Sequence, residues 1–290
     1  MELEAFESAI IASLRAALPL ICAAMGGLLS ERSGVVNISL EGKLIVGAFA
    51  GACIAALTNS AWVGFLGGAG AGALLSLLYA VFVIHFKANQ IVAGTAINLL
   101  AMGFVPFLSK IFYSDTARTP QLPLEARFEF FPYLFVALIV ILIKVWMKYS
   151  VSGLWVLFAG EKPAALESSG VSVVKVRYFS LLFCGLLAGA GGATLSLFLS
   201  SSYTRNMTAG RGFMALAALI LGKWRPIPTA LACLFFAFAD VLQGKLQGVV
   251  LFGERPLPVQ FVQMLPYVVT LIVLTGFVGR AKPPAALGSS

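Results

Sequence analysis

Nine apolar runs, each closed off by glycine, proline or polar residues, constrain this chain more than any other feature of its sequence. They cover roughly 9–29, 39–57, 62–84, 89–108, 131–147, 177–200, 211–222, 227–242 and 259–279. A helix needs about 20 apolar residues to cross the hydrocarbon core of a bilayer, with a usual range of about 17–25. Every backbone N–H and C=O inside that core has to be satisfied within the protein, and a helix does this by itself. Charged residues make up 11% of the 290 residues and apolar ones 60%, against about 25% charged in soluble domains. The runs therefore predict one all-α polytopic membrane domain over 1–290, with about nine transmembrane helices. The N-terminal Met-Glu-Leu-Glu-Ala-Phe-Glu lacks the positive charge that opens a secretory signal, so the first run reads as a retained span.

Runs seven and eight are short. Gly222-Lys-Trp-Arg-Pro-Ile-Pro228 between them makes a sharp break, because proline lacks a donor and disfavours helix in the residue before it. Short or interrupted helices at membrane depth tend to line a substrate path, where freed backbone groups meet water or ligand. Nine crossings put the two ends of the chain on opposite sides. With the C-terminus in the cytoplasm, twelve Lys and Arg fall on the cytoplasmic side and seven outside, the bias of the positive-inside rule. Arg15 falls inside the first run and is left to snorkel outward. This orientation places the acidic N-terminus outside, 109–130 in an external loop and 148–176 in a cytoplasmic segment. The polar stretch Gly153–Gly170 has the makings of a short helix outside the bilayer, available to another protein. Runs one to four and six to nine then go in opposite senses around run five. A polar junction follows the first run of each set, Ser30–Gly42 and Ser200–Gly212. The pattern is an inverted four-plus-four repeat around a central helix, with substrate held near mid-membrane where the halves meet.

Three polar clusters interrupt the runs. In Ser30–Gly51, Gly34 and Gly42 flank Asn37, Ser39 and Glu41. Buried Asn and Glu are costly in a membrane and are paired or functional. The plain alternative is an interfacial loop in which Glu31 and Arg32 face water and Glu41 caps a helix or pairs with Lys43. In Lys87–Asn98, Asn89 and Asn98 lie nine residues apart, on opposite faces of a helix. Thr95 shares a face with Asn98, and the pair would meet a polar ligand or join two helices. In Thr208–Gly222, Thr208 and Arg211 precede a helix whose free N–H groups favour an electron-rich ligand. The small residues Ala215, Ala217, Ala218 and Gly222 allow close helix packing. Gly210 and Gly212 alone lack the strand and third glycine of a nucleotide loop. The substrate-pathway candidates are thus Asn37, Ser39, Glu41, Asn89, Thr95, Asn98, Thr208 and Arg211. Asp240 reads either as a proton relay or as a hydrated residue near the outer interface.

Catalytic chemistry is not apparent. The sequence contains no Gly-x-x-x-x-Gly-Lys-[Ser/Thr] loop, and its single histidine, His85, has no partner for a triad. The four cysteines lie inside apolar runs without metal or disulfide spacing. The net charge of +8 reports topology rather than nucleic acid. No metal site, and no cofactor on this chain, is expected. If ATP drives the protein, another chain binds it.

Five segments, taken together and in order, resemble a known family. They are Glu31–Gly42, Asn89–Asn98, Gly160-Glu-Lys-Pro-Ala-Ala-Leu-Glu-Ser-Ser-Gly170, Thr208–Ala218 and Pro284-Ala-Ala-Leu-Gly288. They are similar to the permease subunits of bacterial ABC importers, in the branched-chain amino acid and ribose permease superfamily, and within it the nucleoside and simple-sugar group. The resemblance implies a bacterial inner-membrane permease working as a heterodimer with a second homologous permease. It implies two ATP-binding subunits that carry ATP-Mg, and an external substrate-binding protein or lipoprotein. Gly160, Glu161, Pro163, Ala164, Ala165, Glu167 and Gly170 match the family's cytoplasmic coupling segment, which docks on the ATPase. The family often carries Arg shortly before that segment, where this chain has Leu157 and Phe158. Asn, Ser and Thr bond hydroxyls and base edges without demanding a charge, which suits a neutral nucleoside or sugar better than an anion. Ribose or another simple sugar is the alternative within the class. Outside it stands an ion- or proton-coupled carrier using Asp240 or Glu41.

Overall fold

The structure is a computed structural model. It describes residues 2–123, 127–246, Met264, Val268 and 282–289, and the ninth run, 259–279, lies outside the described residues apart from Met264 and Val268. The helices are α1 (Glu2–Arg32), α2 (Leu40–Thr58), α3 (Ala61–Ala80), α4 (Gln90–Tyr113), α5 (Phe131–Tyr149), α6 (Val151–Glu161), α7 (Pro163–Ser168), α8 (Val173–Thr194), α9 (Arg211–Leu221) and α10 (Pro226–Leu246). One wider π turn extends α3 over Val81–His85 and another extends α8 over Leu195–Leu199. Among the described residues, seven helices are long and apolar enough to cross a membrane: α1 to α5, α8 and α10.

Two crossings are not continuous helices. After α1 ends at Arg32 the chain turns and runs back into the bundle without helix over 35–37, and α2 starts only at Leu40. Ser33 lies beside Arg177, whose Nε donates to its carbonyl at 3.3 Å, and Asn37 lies beside Cys184 at 3.0 Å. Those two α8 residues are seven positions apart, about 10 Å along the helix, so the unwound stretch climbs into the membrane. The second break is 200–210, which leads from the end of α8 to α9. With eleven residues, α9 is about 16 Å long and covers about half of a 30 Å core. The short seventh run is therefore a half-helix completed by irregular chain. Lys223, Trp224 and Arg225 then turn the chain directly into α10.

The halves pack as an inverted pair. In the first, α2 and α3 pack against α8, and in the second, α9 and α10 pack against α1. No hydrophobic force separates helix from lipid in a bilayer, so close backbone approach drives such contacts. Gly47 of α2, Gly68 and Gly72 of α3 and Gly185 and Gly189 of α8 supply it. A Cβ on Gly189 would meet the Gly68 carbonyl, and one on Gly47 would meet Gly189 itself. Run five, central in sequence, stands at the periphery as α5: 22% of its apolar window is buried, against 83% for α8.

The bundle has two distinct ends. At one, called here the Tyr203 end, loop 114–130 pairs with the second break through Thr119 N–H to Tyr203 O at 3.2 Å and Arg205 N–H to Ala117 O at 2.8 Å. At the other, the Arg32 end, α6 lies across the ends of the long helices. Gly160 touches the Arg32 carbonyl, a contact that leaves no room for a side chain. Residues of the C-terminal stretch sit here too: Ala286 N–H donates to Gly160 O at 2.8 Å and Gly288 N–H to Gly34 O at 3.0 Å. Lys245, by contrast, donates to Ser8 at the opposite end, at 2.7 Å.

Candidate functional site

The two breaks meet in the middle of the bundle, and the meeting point is polar. An unwound segment frees backbone groups that lipid cannot satisfy, so side chains have to do it. Gln90 Oε1 accepts from Val36 N–H at 2.7 Å, and the Tyr79 hydroxyl donates to Val36 O at 2.6 Å. Asn98 does both jobs, accepting from Gly42 N–H at 2.8 Å and donating to Ile38 O at 2.9 Å. These three side chains come from α3 and α4, so the first break is held by its own half of the repeat.

Glu41 ties the halves together. It lies in the first turn of α2 and is 4% exposed. Its Oε1 accepts from the Thr208 hydroxyl at 2.6 Å and from Gly210 N–H at 3.0 Å, and its Oε2 accepts from Gly212 N–H at 2.7 Å. The carboxylate therefore caps the N-terminus of the half-helix α9, where free N–H groups and the helix dipole stabilise a negative charge. Gly212 is required, since a Cβ there would strike the Glu41 backbone.

Beside this tie lies a buried ammonium. Lys43 is 0% exposed, and its Nζ donates to Asn37 Oδ1 at 3.0 Å. The Ser39 hydroxyl donates to the same oxygen at 2.7 Å, and the Asn37 amide donates to Cys184 Sγ. The Nζ also stands 5.1 Å from the centre of the Tyr79 ring, a cation–π distance. Glu41 does not pair with Lys43 as the plain sequence reading allowed, because its oxygens are taken by α9.

The remaining candidates divide. Asn89 is exposed and caps α4, its Oδ1 accepting from Ile91 and Val92 N–H at 3.0 and 3.2 Å. Asn98, on the opposite face, is buried, as the nine-residue spacing predicts. Thr95 is exposed and its hydroxyl bonds carbonyls of its own helix, Ile91 at 3.1 Å and Val92 at 2.9 Å. The 60° between Thr95 and Asn98 is enough to carry one out of the bundle and the other in. Arg211 is partly buried and faces Asp240 at 3.3 Å, so Asp240 is paired rather than simply hydrated. Glu31 and Arg32 do not face water as an interfacial loop would have them. The Trp224 indole donates to Glu31 at 2.6 Å, and Arg32 Nε donates to Trp224 O at 2.9 Å. The sequence reading missed Lys43 as a core residue and Gln90 as a backbone partner. The signal for Lys43 was its place four residues inside an apolar run.

Above α9, toward the Tyr203 end, a cleft of about 370 Å³ opens between α4 and the second break, lined by Met102, Pro106, Tyr203, Arg205, Asn206 and Thr208 among others. Tyr203 lines this cleft among polar neighbours from the same break. Among the described residues no three His, Cys, Asp or Glu side chains gather to hold a metal.

At the Arg32 end the coupling candidates form two short helices. In α7, Pro163 starts the helix, Ala164, Ala165 and Glu167 are exposed, and Leu166 alone is buried. Gly170 ends the segment with φ +85°. Glu161 reaches Arg32 at 3.6 Å.

Comparison with known proteins agrees with this architecture. Residues 9–274 match the family described as branched-chain amino acid transport system / permease component. The chain is 36% identical to the guanosine ABC transporter permease protein NupQ of Bacillus subtilis, over 96% of this chain and 94% of that one. It is 33% identical to the nucleoside ABC transporter permease protein NupC of Lactococcus lactis, over 93% and 92%. A solved metal-chelate type ABC transporter in an inward-facing conformation shares the fold, with a TM-score of 0.52 and 16% identity over 92% of this chain and 86% of that one. The chain belongs to this family of permease components: it is a multi-pass permease of the bacterial inner membrane, from transport systems that join the permease to separate ATP-binding and substrate-binding components.

Proposed function

We infer that this chain is one half of a permease heterodimer that passes nucleosides across the inner membrane. Energy comes from ATP-Mg on two ATP-binding subunits, and substrate from an external binding protein or lipoprotein. The observation that carries the substrate is the near full-length similarity to permeases for guanosine and nucleosides. The bias of Lys and Arg toward the Arg32 end supports a cytoplasmic Arg32 end, with the N-terminus of α1 outside.

On this reading the cleft at the Tyr203 end is the outer mouth of the path. Thr208 lines it directly, and Arg211 stands just below it. Asn37, Ser39, Glu41 and Asn98 hold the two broken helices whose parting opens the way inward, and Asn89 and Thr95, on the outer face of α4, border the path only where the partner permease faces that helix. Hydroxyl and amide groups suit the ribose and base edges of a neutral substrate. At the cytoplasmic end α7 offers Ala164, Ala165 and Glu167 to a groove of the ATPase. Gly160 and Glu161 set its position against α1, while Pro163 starts α7 and Gly170 ends the segment. A push on α7 reaches α1 through the Glu161–Arg32 pair and reaches α9 through Trp224. Such rigid-body transmission is how packed halves rock.

The test is reconstitution in proteoliposomes with the partner permease, the ATP-binding subunits and the binding protein. Guanosine uptake should require hydrolysable ATP, and ribose should not compete. Uptake at full rate with a hydrolysis-dead ATPase would overturn the class, and ribose uptake without nucleoside uptake would overturn the substrate.

A further inference from the structure

Away from the cleft at the Tyr203 end, α1, α5, α6 and α8 enclose an apolar groove outside the path proposed above. Its deeper part, about 320 Å³, is walled by Leu29, Ile139, Leu142, Trp146, Phe183 and Leu187. Phe179 also lines it and continues into a second part of about 250 Å³. There Trp155 and Val176 form the walls, and Ser152, Ser172 and Lys175 form the mouth. Three features bear on what fills it.

The first is depth. Lys175, Phe179, Phe183 and Leu187 recur every four residues, a stripe that drifts about 40° round α8 at each step. From the first to the last the stripe climbs about 18 Å, close to one leaflet of a 30 Å core plus its interface. The second is exposure: Phe179 and Phe183 remain 42% and 38% exposed, their rings 4.5 Å apart, so the groove is open along its length. The third is the mouth. Lys175 lies in the first turn of α8, where the helix dipole adds positive potential. The Ser172 oxygen accepts from Lys175 N–H at 3.4 Å, which leaves its own proton to donate outward. Among the described residues no Asp or Glu lines either part, so none of them would pair with the ammonium of an amine headgroup.

The flanking helix fits the same setting. Val151, Leu154, Trp155 and Phe158 of α6 are all exposed at i, i+3, i+4 and i+7 spacing, the apolar stripe of a helix lying in the headgroup boundary.

We propose that this groove holds an acyl chain of an anionic phospholipid of the phosphatidylglycerol type, its phosphodiester at Lys175 and the mouth of α8. The depth matches one leaflet, the charge matches a phosphate, and the lack of a carboxylate selects against an ethanolamine head.

Native mass spectrometry of the full chain released from mild detergent, titrated with phosphatidylglycerol or phosphatidylethanolamine, tests it. Wild type should retain phosphatidylglycerol preferentially. Lys175→Gln should weaken that retention about fivefold, the effect of one basic residue on an anionic lipid. Leu142→Trp, which fills the groove, should abolish it. Lys148→Gln is the control, because Lys148 lies two residues and about 200° round α5 from Trp146 and should leave retention unchanged. Equal retention of both lipids, or equal weakening by Lys148→Gln, would show general surface attraction and overturn the site. A photoreactive residue at Phe183 should capture lipid. If it captures this chain or a second copy instead, the groove is a protein interface and the proposal fails.

Discussion

Both oxygens of Glu41 face one helix end, and nothing else described in the structure joins the two broken helices so directly. Glu41→Ala would leave Gly210 and Gly212 N–H without acceptors at a buried site. Each orphaned donor costs roughly 1–3 kcal/mol, so the thermal midpoint in detergent should drop sharply and uptake should be lost. Glu41→Gln should rescue little, because its NH2 would confront donors on one side. A Glu41→Gln protein with wild-type stability would show that the carboxylate is not the tie. Lys43 and Asn37 make a second comparison. Asn37→Leu removes the amide oxygen that accepts from Lys43, and orphaning a buried donor costs roughly 1–3 kcal/mol. Lys43→Met removes the charge at similar volume and should cost much less. The order of the two midpoints checks whether the ammonium is the demanding member. Polar residues inside apolar runs were legible as marked positions, but their partners were not. Glu41 answers to residues 208–212, and nothing in the local pattern of either segment announces the other. Asn89 and Gln90 show the same limit at one residue's remove: the sequence favoured Asn89, and the fold turns it outward as a cap while Gln90 holds Val36.

Among the elements, the long helices followed from apolar length alone, because twenty residues without charge have one way to sit in a bilayer. Where the helices break was less legible. The prolines after Gly222 mark the turn into α10, whereas the unwinding before α2 has no proline and is maintained by Tyr79, Gln90 and Asn98. Close packing was legible only as a surplus of small residues, and the structure separates the glycines that need to be so. Gly189→Ala would push a methyl into the Gly68 backbone, an overpacking cost of roughly 1–3 kcal/mol. Gly70→Ala meets nothing within 4 Å and should stabilise α3 by roughly 0.5–1 kcal/mol. Thermal midpoints of the two variants read the difference, and equal values would place the α3–α8 contact wrongly. In α7, Ala165 is exposed at the rim of a cleft shared with Leu154, Trp155 and Phe158 of α6. Ala165→Trp should therefore leave the permease folded and assembled while uptake falls and ATP hydrolysis continues. Uptake and hydrolysis that remain coupled would remove Ala165 from the docking face.

For the whole molecule, orientation is the property on which the other readings depend. Single cysteines at Ser168 and Asp115, in a background where the native cysteines are replaced, should react with a membrane-impermeant maleimide from opposite sides. Ser168 should label only in opened cells and Asp115 in intact ones; the reverse pattern would invert the topology. The two ends of the bundle also differ in how they are joined. At the Arg32 end, Ala286 and Gly288 bond the Gly160 and Gly34 carbonyls. The turn after α1 and the end of α6 therefore cannot part without breaking a backbone bond to the same short segment. That segment works as a stitch, and it makes two chain-distant pieces of the Arg32 end move as one lever.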